Sequence, residues 1–257
     1  MGGEKVIRMF DVTHRGRVAV LQMTHGKANA MDLEFCRELT TQVEACARSS
    51  AGALVITGQG KMFSAGVDLS RLLAGGAAYA REFVPAMNYA FETVFAFEKP
   101  LVVAVNGHAI AGGCILACCA DYRIMAREAG RIGIPELLVG VPFPVVPLEI
   151  VRFATPPQHL QTLIYRGLTL ASDEAMRYGL VDAVTDPERV LDEAIAVADG
   201  LAAVPFEAFH LTKRLLRERV IRQMREGSAI DALVQDAWAG DAVQSAVRDY
   251  VARTLKK

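Results

Sequence analysis

Val102 to Glu136, VVAVNGHAIAGGCILACCADYRIMAREAGRIGIPE, is the stretch from which the fold is read. After Pro100 comes a β-branched run, Val102, Val103 and Val105, that stops at Asn106-Gly107, as a buried strand closed by a turn does. Gly112 and Gly113 then open a short apolar segment, Ile115 to Ala120, long enough for about two helical turns. Glycines there let a partner approach the backbone closely. The free N–H groups of a first helical turn, with the positive end of the helix dipole behind them, suit an anion or an oxygen about to become one. Tyr122 to Met125 predicts another strand. Beyond it Glu136 follows Pro135 among Ile132, Ile134, Leu137, Leu138 and Val139, and a carboxylate in so apolar a wall is unusual. The pattern predicts that the glycine pair polarises a carbonyl and that Glu136 moves a proton beside it.

With 257 residues and 52% apolar content the chain can fill a sizeable core, and one principal domain is expected. Its 28 basic and 29 acidic residues leave a net charge of −1, which gives no footprint for nucleic acid or an acidic membrane. No apolar run reaches the roughly 18 residues of a membrane helix, and MGGEKVIRMF lacks a signal-peptide core, so a cytoplasmic location is expected. The five cysteines, Cys36, Cys46, Cys114, Cys118 and Cys119, sit in apolar segments without a C-x-x-C pair and read as small buried hydrophobes. The five histidines are scattered, none at H-x-x-x-H spacing, so no metal site is expected.

Outward from the central stretch, Val6 to Val12 and Val18 to Met23 flank a turn at Thr13 to Arg17 and predict a hairpin. Asp32 is placed to cap a helix through about Arg48, with Leu33, Cys36, Leu39, Val43 and Cys46 on one face. Ala53 to Thr57 reads as a short buried strand, followed by the glycine-rich turn GQGKMFSAGVDL, residues 58 to 69. That turn is no phosphate-cradling loop, since Met62 follows the lysine where Ser or Thr is needed, and no G-x-S-x-G elbow, since Met62 replaces its first glycine. Asp68 is suited to cap the next helix. Ala80 to Phe97 carries a helical stripe, Phe83, Met87, Phe91, Val94 and Phe97. From Val139 to Pro147 three prolines argue against both helix and central strand, leaving a stiff apolar loop that is either packing or a pocket wall. The remainder reads as helices with one strand, Val181 to Val184. The helices lie at Leu148 to Phe153, Gln158 to Tyr165, Ser172 to Tyr178, Pro187 to Leu201, Pro205 to Met224 and Ala229 to Leu255. The stripe Val190, Leu191, Ala194, Ile195, Ala198 and Leu201 needs a partner surface, for which a second copy of the chain is one candidate.

The succession FSAGVDL, AVNGHAIAGGCILACCADYRI, GIPELLVG and LTLASDEAMRYGLVDAV resembles the crotonase (enoyl-CoA hydratase/isomerase) superfamily from about residue 6 to about residue 220. The resemblance implies an α/β fold, a crotonase-like spiral of ββα repeats over residues 1–196, with a helical C-terminal trimerisation region at residues 197–257. It implies an acyl-CoA thioester as substrate and partner, with coenzyme A arriving as part of that substrate and no separate cofactor. A homotrimer or dimer of trimers is implied, with neither nucleic acid nor membrane as partner. By the same resemblance the N–H groups of Ala65 and Gly112 form an oxyanion hole, and Ala28 together with Ala65, Gly66, Val67, Asp68 and Leu69 lines the path of the CoA.

Two departures from the pattern narrow the reaction. Hydratases of the family carry two glutamates, of which the second matches Glu136 while Ile115 stands at the first. Hydration needs a water held between carboxyl groups, and Ile115 can neither take nor give a proton. The glycine-rich turn expected after the second glutamate is replaced by Pro-Phe-Pro around Phe143. Both changes, and the wording CILACCADYRI, resemble the single-glutamate delta-3,delta-2-enoyl-CoA isomerases. The expected chemistry is a proton removed from C2 of a 3-enoyl-CoA by Glu136 and returned at C4, with Ile134, Leu137 and Phe143 raising the pKa of that acid. The alternatives are a hydratase or thioester hydrolase of the same superfamily, or a protein that binds acyl-CoA without turning it over. On residue types alone, Glu136 could also be a buried carboxylate paired with Arg123 or Arg131.

Overall fold

The computed structural model describes residues 9–227 and 229–254. Two sheets organise it. Strands β1 (Phe10–Arg15) and β2 (Val18–Met23) form the expected hairpin, but β1 runs on through Arg15 and the chain reverses at Gly16-Arg17. Val6 to Arg8, the start of the expected strand, lie outside the described residues. Helix α1 (Leu33–Arg48) follows, and the Asp32 side chain caps it by accepting the Phe35 N–H at 2.7 Å.

Three ββα units come next, and each sends its first strand to one sheet and its second to the other. The first is β3 (Ala53–Thr57), β4 (Met62–Ser64) and α2 (Leu69–Phe95). The second is β5 (Leu101–Val105), β6 (His108–Ile110) and α3 (Gly112–Cys118). The third is β7 (Tyr122–Ala126), β8 (Ile132–Gly133) and the single-turn α4 (Glu136–Val139). The chain continues through α5 (Val145–Ala154), α6 (Pro157–Arg166), β9 (Thr169–Leu170), α7 (Ser172–Arg177), β10 (Ala183–Thr185), α8 (Val190–Ala202), α9 (Phe206–Glu226), α10 (Ala229–Ala239) and α11 (Asp241–Thr254). The six-stranded sheet has the order β1-β2-β3-β5-β7-β10 and the four-stranded sheet β4-β6-β8-β9. This is the α/β spiral the sequence implied.

Strands β3 and β5 are buried along their whole length because both faces are covered, which is why they read as continuous apolar runs. Leu54, Ile56, Leu101 and Val103 face the main core, and Val55, Val102 and Ala104 face a second cluster with Val190, Ala194 and Ala198 of α8. The stripe for which a second copy was a candidate therefore packs on the chain's own sheet.

Several elements differ from the sequence reading, among them the following. Helix α2 starts at Leu69, because Asp68 caps it with a 3.0 Å bond from Arg71 N–H; it bends at Gly76 and ends at Phe95. Helix α5 begins at Val145 despite Pro147, since a proline in the first turn lacks an N–H that no intrahelical carbonyl would have accepted. The helix expected over Ala229 to Leu255 is two helices parted at Gly240. Strands β6, β8 and β9, two or three residues each, are too short to carry a periodicity.

Helix α9 is fastened to the core by a buried ionic cluster. Asp121 accepts from Lys213 Nζ at 2.6 Å and Arg217 Nη2 at 2.7 Å, and also from the Leu101 N–H at 2.8 Å. Lys213 further donates to Lys99 O, and Arg217 to Cys119 O and Phe95 O. Burial pulls the Lys213 ammonium down to about 8 in spite of Asp121. Removing the single carboxylate strands two buried cations, so Asp121→Ala is expected to lower the free energy of unfolding by about 3–5 kcal/mol. Urea denaturation followed by circular dichroism measures it, and a loss below about 1 kcal/mol, the range of an exposed pair, would contradict the account.

Candidate active site

The sequence singled out three segments, and the fold brings them to one cavity. The loop at residues 25 to 31 is tied to the turn after β4 by bonds that only folding can supply. Asn29 Nδ2 donates to Phe63 O at 3.0 Å, Ser64 Oγ donates to Asn29 O at 2.7 Å, and Ala65 N–H donates to Ala28 O at 2.9 Å. The pairing continues as a short parallel bridge in which Met31 N–H donates to Gly66 O at 2.8 Å and Asp68 N–H donates to Met31 O at 2.9 Å. In such a bridge the residue between the two bonded ones turns its own N–H to the opposite side. That residue is Val67.

The second segment is the start of α3. Gly113 lies so close to β4 that a Cβ there would fall 2.3 Å from Ser64 O, so glycine at this position lets the helix end dock on the turn. Gly66, at φ +79°, fits against Ile110 O and the Gly112 amide, where a Cβ would sit 2.7 and 2.9 Å away. The two turns are locked side by side. Among the described residues neither the Val67 N–H nor the Gly112 N–H has an acceptor, and both residues line a cavity of about 350 Å³.

The expected donor pair is thereby corrected. The Ala65 amide is committed to Ala28 O and cannot receive an oxyanion without losing that bond, whereas the Val67 amide is free beside that of Gly112. Of the residues expected along the path of the CoA, Ala28, Ala65, Val67, Asp68 and Leu69 line the cavity. Gly66 does not, being packed beneath it against Ile110 and Ala111.

Glu136 is the third segment's contribution, the first residue of α4, placed after Pro135 with its side chain in the same cavity. It is 8% exposed, and neither carboxyl oxygen has a hydrogen-bond partner among the described residues. Burial pushes its pKa up to about 8; its own main-chain N–H pulls weakly the other way, and Cys118 behind it adds to the rise. Among the described residues no arginine relieves it. Arg123 makes a two-pronged pair with Asp182 at 2.8 and 2.9 Å, and Arg131 donates to Thr169, so the ion-pair reading of Glu136 does not hold. Ile115, buried at the site where a second carboxylate was missed, lines the cavity, as does Phe143. Of the other two residues expected to surround the acid, Ile134 is wholly buried outside the lining and Leu137 is 41% exposed on the outer side of α4. Asp68 is the other carboxylate in the lining, and one of its oxygens caps α2.

The cavity is closed by three residues the sequence reading did not assign to a site, Met87 having been read as part of a helical core stripe. Met87 of α2, Trp238 of α10 and Tyr250 of α11 reach it from more than a hundred residues of chain. No local signal marks them, because their helices show ordinary amphipathic spacing. A larger groove of about 530 Å³ runs between α9 and residues 95–98, but Lys213 and Arg217 there are engaged with Asp121 and with main-chain carbonyls. Its acids, Glu98, Glu218 and Glu226, are exposed, unlike the buried Glu136.

Comparison with known proteins shows the family and the fold. The family model described as Enoyl-CoA hydratase/isomerase matches residues 13–254. Crotonyl-CoA hydratase of Syntrophomonas wolfei is 33% identical over 219 residues, 84% of each chain. Among solved structures, human mitochondrial delta3-delta2-enoyl-CoA isomerase superposes with a TM-score of 0.90 at 27% identity, covering 97% of this chain and 99% of that one. An enoyl-CoA hydratase of Mycobacterium ulcerans superposes with a TM-score of 0.83 at 30% identity, covering 91% and 100%.

Proposed function

The chain belongs to the enoyl-CoA hydratase/isomerase family, and from that premise we propose that it shifts the double bond of a 3-enoyl-CoA to the 2-position. One observation carries the choice among the family's reactions: a single unpartnered carboxylate, Glu136, shares the cavity with Ile115 where hydration would require a second acid. A water between Glu136 and Ile115 would find a base and no acid.

The thioester oxygen lies between the Val67 and Gly112 amides, which strengthen their hold as negative charge moves onto it. Glu136 removes a proton from C2, a carbon made acidic by the thioester on one side and the alkene on the other. The electron pair of that C–H bond becomes the C1–C2 double bond of a dienolate, with the charge on oxygen. When the charge returns, C2 and C3 become doubly bonded, and the pair from C3 and C4 takes the proton from Glu136 at C4. Acid and base are the same group. Its raised pKa suits both halves, since a desolvated carboxylate is a stronger base toward carbon and readily keeps the proton until C4 presents itself.

The test uses two substrates. With 3-hexenoyl-CoA, absorbance of the conjugated thioester is expected to grow. With the conjugated 2-hexenoyl-CoA, that absorbance is expected to persist. Loss of conjugation in the second arm without gain in the first would instead establish a hydratase, the activity named for the Syntrophomonas relative.

A further inference from the structure

Trp238 is the chain's one tryptophan, 3% exposed, and its indole borders the same cavity as Glu136 and Gly112. It is held at two points. Its Nε1–H donates to Pro142 O at 2.9 Å, and Gln244 Nε2 donates to its carbonyl at 3.2 Å. Pro142 belongs to the stiff segment whose neighbours Val141, Phe143 and Pro144 line the cavity, so the hydrogen bond joins α10 to the wall beside the acid. Helix α11 reinforces the joint, with Ala246 packed directly against Gly140 at the end of α4. Swinging the indole away would break this bond and leave the Pro142 carbonyl without its donor.

Polar and apolar groups of the cavity are segregated. Apart from Glu136, the polar groups are Asp68, Ser70 and the free amides of Val67 and Gly112, at the starts of α2 and α3, while Met87, Ile115, Phe143 and Trp238 belong to the apolar remainder. An acyl chain whose thioester oxygen occupies the amides has only that apolar part to enter. We propose that Trp238 is the stop against which the acyl chain ends, making the protein selective for short- and medium-chain acyl thioesters. The inference rests on the acyl-CoA reading above but not on which reaction follows. Each methylene added before the stop gains burial at about 0.8 kcal/mol, close to fourfold in affinity; beyond it, added methylenes gain nothing.

Because Trp238 has no other tryptophan to compete with it, the unaltered protein supplies its own probe. Saturated acyl-CoAs from butanoyl to hexadecanoyl, which can be neither isomerised nor hydrated, are titrated while tryptophan emission and affinity are followed. Expected is an affinity that climbs about fourfold per methylene and then levels, with emission unmoved by CoA alone and changing where the affinity levels. In Trp238→Leu the levelling point moves to longer chains. Tight binding with emission unmoved at every length, or a folded Trp238→Leu with the same levelling point, would overturn the stop. Should no acyl-CoA bind at all, the acyl-CoA reading itself falls, a result distinct from either.

Discussion

Glu136→Gln is expected to lower the rate of double-bond shift by about 10²–10⁴-fold while acyl-CoA affinity stays within a few fold of the parent. Glutamine fills the same space and keeps a polar end, but it can neither accept the C2 proton nor deliver one to C4. A protein that only stores acyl-CoA would show no such separation of binding from turnover. The acid also sets the pH dependence. Removal of the C2 proton requires the ionised form, so kcat/KM of the parent is expected to rise about tenfold per unit as pH climbs toward about 8 and to flatten above it. The variant loses that limb.

The stability of the fold carries the opposite sign. The folded-state value of about 8 lies above the ordinary carboxylate value of 4.5, so between those limits the folded chain holds a proton that the unfolded chain has released. Raising the pH through that window therefore weakens the fold, by up to about 1.4 kcal/mol per unit, while below 4.5 both states are protonated and the term vanishes. Glu136→Gln is expected to flatten this part of the profile in thermal melts between pH 5 and about 8. A parent melting temperature that rises across the window, together with an unchanged profile in the variant, would show that the carboxyl is solvated and the buried-acid account mistaken.

The second large effect is expected at Gly66, a residue outside the cavity lining. Its φ of +79° is one an L side chain adopts at a cost of about 1–2 kcal/mol, and a Cβ there would come within 2.7 Å of Ile110 O and 2.9 Å of the Gly112 nitrogen. The obstacles are backbone atoms, which cannot rotate aside. Gly66→Ala must push the Val67 turn away from the start of α3, separating the two amides that are to share one oxygen. A displacement near 1 Å is enough for about a 10²-fold loss of turnover. Gly60→Ala provides the matched control, since Gly60 has nearly the same φ, +62°, with open space where its Cβ would lie. That variant is expected to lose a similar conformational increment in urea denaturation but keep its kcat. If both variants retain full activity, the spacing of the two amides is not what limits the reaction.

The lone acid was legible from the chain alone. Pro135-Glu136 among aliphatic residues announced a carboxylate without a water-facing side, and its two oxygens are indeed unpartnered among the described residues. The capping roles of Asp32 and Asp68, and the buried strands Ala53–Thr57 and Leu101–Val105, were equally readable. Each depends on bonds to residues three or four positions away or on a face repeating along one element, and such periodicities are written in consecutive letters.

What the chain could not say by itself is which amides are left over. Whether the N–H of Ala65 or of Val67 faces the cavity depends on how residues 28 to 31 register against residues 65 to 68, and a one-residue slip would exchange the two. That register is fixed by Asn29 and Ser64 bonds spanning about thirty-five positions. Trp238 reaches the cavity that Val67 lines only because α10 and α11 fold back over α2 and α4. Local sequence marked the acid, although not the single turn α4 that carries it. The tertiary structure alone decided which amides are left without acceptors and which distant side chains line the cavity, because a free hydrogen bond and a closed cavity are properties of surfaces that meet only after the chain has folded.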